Sequence, residues 1–174
     1  MKNLTTVILA LLLTACSPTN KLNDVTPSDL VGVWSLKYMD GNAYPYNFSQ
    51  LAFTKNGTKC VLSYNFNRQG ELSIDYYKNT YTVESGVLIT KVGYSSGVYG
   101  LPKGYIIKDK FTHFDESSFN VFMVQPKGNY PENHQRLIGV NPETVCEVVE
   151  RHIKNNYKQN LNKHNKRTNR YSHT

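Results

Sequence analysis

Leu30-Val31-Gly32-Val33-Trp34-Ser35-Leu36-Lys37-Tyr38 is the stretch whose reading decides the fold. Trp34, Leu36 and Tyr38 fall on one face and Ser35 and Lys37 on the other, which is the period of a half-buried strand. Asp40-Gly41 ends it with a turn signal. The pattern repeats outward from there. Residues 50–54 run into Lys55-Asn56-Gly57 and residues 58–65 leave it, an Asn-Gly hairpin. Asn67-Arg68-Gln69-Gly70 turns the chain before residues 71–77, where Leu72, Ile74 and Tyr76 oppose Ser73 and Asp75. Lys78-Asn79 precedes residues 80–84, and Ser85-Gly86 precedes residues 87–92. Residues 105–114 and 118–125 are joined through Asp115-Glu116-Ser117. Residues 93–104 (GYSSGVYGLPKG) read as a flexible, aromatic-bearing loop, and residues 126–136 (PKGNYPENHQR) as a long polar one. About eight short strands at this spacing predict an antiparallel barrel or sandwich.

Composition agrees. Thirteen tyrosines and seven phenylalanines in 174 residues favour strands over a helical bundle. The net charge of +7 is local: seven basic and no acidic residues fall after position 150, whereas residues 16–150 hold 12 Lys and Arg against 13 Asp and Glu. A neutral body with a basic end is not a domain built around nucleic acid.

The mode changes at Asn141-Pro142-Glu143, which reads as N-cap, proline at the first helical position and an acid in the first turn. Val145, Val148, Val149, Ile153 and Tyr157 then recur at helical spacing. Glu143, Glu147 and Glu150 precede Arg151, Lys154 and Lys158, the order the helix dipole favours. Residues 161–174 are polar and basic, and disorder is the expectation there.

The N-terminus carries a resemblance. Lys2, the apolar run of residues 4–13 and then Leu13-Thr14-Ala15-Cys16 resemble the signal peptide and lipobox of bacterial lipoprotein precursors. The apolar run is too short to span a bilayer, which takes about 20 residues. The resemblance implies removal of residues 1–15 and acylation of Cys16, with palmitate-type chains as the membrane contact. Three chains make desorption negligible, at about 0.8 kcal/mol per buried methylene. Ser17, where an aspartate would imply inner-membrane retention, implies the outer membrane, facing the periplasm. Residues 16–29 then read as a tether and residues 30–160 as barrel plus helix. With Cys16 committed to lipid, Cys60 and Cys146 are left as a pair in an oxidising compartment. Two buried thiols that never meet are the alternative.

Leu30-Val31-Gly32-Val33-Trp34 also resembles the Gly-x-Trp opening strand of lipocalins and of the lipocalin-like domains of small bacterial lipoproteins. Leu51-Ala52-Phe53 with Asn56-Gly57-Thr58 resembles their second hairpin, and the C-terminal helix fits as well. The resemblance implies an antiparallel up-and-down β-barrel of about eight strands (lipocalin-like) with a C-terminal α-helix, Trp34 closing one end. The family's arginine motif has no clear counterpart, Arg136 being the nearest candidate. The interior is therefore compatible with either a filled core or a ligand cavity.

No catalytic residue and no cofactor is predicted, since G-x-S-x-G, S-x-x-K and HExxH are all missing from the sequence. No metal is expected either, because neither Cys60 nor Cys146 has a CxxC or CxH neighbour. His113, Asp115 and Glu116 read as a polar hairpin turn, and His134 as a solvated loop residue. The expectation is a monomeric, non-enzymatic binding module for a small apolar or amphipathic ligand, with Tyr38, Tyr76, Tyr94 and Tyr99 as contacts near the mouth. The alternative is an interaction protein, an inhibitor, immunity or envelope-assembly factor, that grips a periplasmic protein through loop 93–104.

Overall fold

The computed structural model describes residues 22–39, 42–43, 47–66, 69–96, 100–127 and 131–171. Nine strands follow one another: β1 (Gly32–Met39), β2 (Asn42–Ala43), β3 (Asn47–Phe53), β4 (Thr58–Phe66), β5 (Leu72–Glu84), β6 (Val87–Ser95), β7 (Ile106–Phe114), β8 (Ser118–Gln125) and β9 (Pro131–Leu137). A short helix α1 (Pro27–Leu30) precedes them and a long one, α2 (Pro142–Tyr171), follows. Every pairing is antiparallel, and from β3 to β9 each strand pairs with the next. β1 pairs with both β3 and β9, so the sheet closes on itself, and the two-residue β2 only extends β1. The result is a closed up-and-down barrel of eight strands without a free edge.

Alternation sorts the side chains. Trp34, Leu51, Phe53, Tyr81, Leu88, Phe111, Phe119 and Val121 form one buried cluster inside the barrel. Val33, Ala52, Cys60, Leu62 and Tyr76 lie on the opposite faces of their strands and are covered by Val145, Cys146 and Val149 of α2. Asn141 caps α2 as expected, its Oδ1 accepting the Glu143 N–H at 3.0 Å. The Cys60 and Cys146 sulfurs are bonded, tying β4 to the first turns of that helix across 86 residues of sequence.

Four expectations need correction. Lys78-Asn79 is no turn: β5 runs unbroken for 13 residues. The Asn79 side chain instead accepts the Gly93 N–H at 3.2 Å, at the register shift between β5 and β6. Gly93 belongs there because a Cβ on it would meet the Lys78 carbonyl oxygen at 2.5 Å. Residues 131–137 are not loop but β9, the strand that closes the barrel. The count of eight thus holds through two compensating differences. The tether does not reach residue 29, because Val25 is buried in the barrel's end cluster with Leu22 packed against it. The Asp29 carboxylate accepts both the N–H and the hydroxyl of Thr26, which sets α1 across that end. Finally, α2 continues to Tyr171 rather than ending near residue 160. No proline or glycine interrupts residues 143–171.

The end covered by α1 is sealed by Trp34, which is fully buried. Its indole Nε1 donates to the Leu30 carbonyl at 2.8 Å, and its ring meets Phe119 edge-on at 4.8 Å. The Arg136 guanidinium lies 4.1 Å from the Trp34 ring centroid and donates to the carbonyls of Val31, Asp29 and Glu116. One planar fork so joins α1, β1 and the β7–β8 hairpin. Arg136, the loose candidate from sequence, is the arginine of this closure. Lysine retains the charge but cannot reproduce the fork or the stacking. Arg136→Lys is expected to cost about 2 kcal/mol, measured by urea unfolding.

Candidate functional site

Above the aromatic seal the barrel is not filled. A cavity of about 290 Å³ remains in its upper half. Its apolar lining includes Leu36, Leu51, Val61, Ile107 and Met123, and its polar lining includes Lys59, Asn79, Thr90, Asp109, Glu132 and His134. All lie on inward-facing strand positions. Strands β1, β4, β6 and β8 end there, at Met39, Phe66, Ser95 and Gln125, opposite Trp34. Leu101, between β6 and β7, reaches the cavity wall.

The polar residues form one electrostatic cluster. His134, expected in a solvated loop, is 1% exposed. It stacks on Phe119 at 4.4 Å and donates from Nε2 to the Glu132 carboxylate at 2.9 Å. Its Nδ1 is buried with no hydrogen-bond partner among the described residues. Burial pushes Glu132 upward, but the His134 bond and charge and the Lys59 charge outweigh it, so its pKa lies below the ordinary value. The Lys59 ammonium donates to Thr90 Oγ1 at 3.4 Å and stands 5.5 Å from the Phe53 ring centroid.

Asp109 on β7 is only 7% exposed, and no hydrogen bond or ion pair within 4.0 Å reaches its carboxylate among the described residues. Burial raises its pKa to about 6, with Lys59 opposing and Glu132 adding to the shift. The sign for stability follows from proton counts. An unfolded chain releases this proton near the ordinary value of 3.8, whereas the native chain holds it to about 6. Between those values the native state binds the extra proton, so stability falls as pH rises. At 1.36 kcal/mol per pH unit, the penalty above pH 6 is about 3 kcal/mol. Urea unfolding is expected to give a higher midpoint at pH 5 than at pH 7.5. Asp109→Asn should raise stability at pH 7.5 by about 2–3 kcal/mol and remove most of that difference. A wild-type midpoint equal at both values would contradict the assignment.

The sequence-predicted contacts lie elsewhere. Tyr76 and Tyr94 are on the outer face beneath α2, their rings stacked at 5.9 Å, and neither lines the cavity. His152 stacks on Tyr76 at 5.1 Å, and Asn156 donates to both tyrosine hydroxyls. The inward neighbour on β5 is Tyr77. Tyr38 is on β1, but its side chain, like all of Tyr99 and Cys16, lies outside the described residues. His113 and Asp115 form the polar hairpin turn that was expected. Asp115 accepts from the Ser117 hydroxyl, the N–H groups of Ser117 and Ser118, and His113. The Ser117 hydroxyl above all, then those N–H groups and His113, hold its carboxyl well below the usual range. No group of three or more His, Cys, Asp or Glu among the described residues has the geometry of a metal site.

No protein-family model matches the chain, and no curated protein does. Among solved structures it is similar to a lipocalin-like protein from Bacteroides uniformis. The two share 16% identity over 63% of this chain and 99% of that one, with a TM-score of 0.43. The chain is a closed eight-stranded antiparallel barrel. Its own strand register and its Trp34–Arg136 closure establish that architecture.

Proposed function

We propose that the protein is a non-enzymatic binding module that holds a small amphipathic molecule in the upper half of its barrel. The observation that carries this reading is the division of the interior. Aromatic side chains fill one half densely, while the other half keeps a cavity with charged residues on its wall. A barrel of eight strands is small enough for side chains to fill. A void and an unbonded carboxylate both lower stability, so their presence fits a binding role better than a structural one. Apolar walls with a few convergent polar groups are the usual make-up of a small-molecule site.

In this reading Cys16 carries acyl chains that fix the module to the outer membrane, facing the periplasm, and the barrel acts as a monomer. No helix among the described residues is long and apolar enough to cross a membrane. The test is extraction with organic solvent of full-length protein purified without added ligand, followed by mass spectrometry. A small molecule should be released by the wild-type chain and be missing from a Val61→Trp variant whose cavity is filled. Release of the same molecule from both would place binding outside the barrel and defeat the reading.

A further inference from the structure

The cavity wall carries polar groups whose partners the described residues do not supply. Asp109 offers carboxylate oxygens that no side chain or backbone group among the described residues engages. Glu132 uses only Oε2, on His134. Nδ1 of His134 is buried, and no hydrogen-bond partner among the described residues meets it. Among the described residues Lys59 on β4 is the one Lys or Arg on the cavity wall, and its ammonium is held on Thr90 and over Phe53. Asp109 and Glu132 both line this interior, and among the described residues neither the Lys59 ammonium nor the His134 ring comes within 4.0 Å of the Asp109 carboxylate. From β6 and β8, packed on either side of β7, the residues opposite Asp109 are Leu88 and Met123, so no further charge reaches it from those strands. A buried charge of this kind is kept where something compensates it.

We propose that the ligand is a primary amine: its ammonium group supplies the missing positive charge and up to three donors between Asp109 and Glu132, and its apolar body lies against Leu51, Val61 and Met123. This inference rests on the binding reading above and narrows it to a chemical class. The volume sets the scale. At about 30 Å³ per water-sized group, 290 Å³ accommodates roughly ten non-hydrogen atoms. The ligand is then a short alkyl or aryl amine rather than a long-chain lipid. A fatty acid would bring a third carboxylate beside two existing ones, which like-charge repulsion opposes.

The test compares three probes of one shape on the full-length Cys16→Ser chain at pH 7.5: hexylamine, hexan-1-ol and hexanoate, titrated by isothermal calorimetry. Hexylamine should bind at least tenfold more tightly than hexan-1-ol, with hexanoate weakest. Asp109→Asn should bring hexylamine down to about the affinity of the alcohol. Equal affinities for amine and alcohol would mean that the carboxylates recruit no ammonium and would overturn the assignment. Preference for hexanoate, or hexylamine binding unaffected by Asp109→Asn, would overturn it too. In each of those cases the cavity still binds a small molecule and the broader reading stands. Binding of none of the three would defeat both. The comparison among probes is made on the unsubstituted barrel, so it does not depend on how the variant folds.

Discussion

Trp34→Ala lowers the unfolding free energy by about 4–5 kcal/mol, at the upper end for a single core truncation. Three losses combine. The indole is 0% exposed, with Phe119 at 4.8 Å and Phe114 at 6.3 Å, so its removal leaves a large void at the sealed end. The Leu30 carbonyl loses the indole N–H that it accepts, where backbone of α1 crosses the barrel. The Arg136 guanidinium also loses the ring beneath it. Trp34→Phe keeps most of the contact area and loses the hydrogen bond, so it should cost about half as much. Far-UV circular dichroism in guanidinium chloride checks both, since the alanine variant has no other tryptophan to report by fluorescence. A cost below about 2 kcal/mol for the alanine variant would mean that α1 and Arg136 close the barrel without the indole.

Removing the disulfide gives the second large effect. Cys60→Ala with Cys146→Ala opens a constraint across 86 residues. The chain-entropy account sets a ceiling of roughly 4–5 kcal/mol for such a loop, and about 3–4 kcal/mol is the expected loss. The effect should be uneven. Cys60 points outward to α2, whereas its neighbours Lys59 and Val61 line the cavity. Hydrogen exchange should therefore quicken first in the opening turns of α2. Hexan-1-ol affinity should change less than threefold, because the cavity wall is untouched. A large loss of affinity would mean that α2 shapes the cavity through β4, contrary to this account.

Legibility in sequence followed one rule. Strands were readable where apolar residues face inward and polar residues outward, as in β1 and residues 118–121 of β8. β9 was unreadable because its inward positions are Glu132, His134 and Arg136, so apolar alternation never announces it. Proline at its start and asparagine and glutamine along it speak for a loop. The polar residues of the cavity were hidden for the same reason, since an inward polar side chain looks in sequence like an outward one. A usable signal existed in phase. Asp109 falls in step with Ile107 and Phe111, Lys59 with Val61, and Thr90 with Leu88 and Val92. A charge in step with an apolar face marks an interior charge. Tyr76 and Tyr94 share the face that α2 covers, outside the cavity, and only the helix position, which local sequence does not specify, places them there.

The central claim is that the upper half of the barrel holds a small molecule. A high-resolution crystal structure of the protein purified from its native cells, with no ligand added, tests this most directly. The account predicts continuous density for a bound molecule between Val61 and Met123, with one end within hydrogen-bond distance of Asp109. A cavity collapsed onto its own side chains, or holding only ordered water against Asp109 and Glu132, would contradict it.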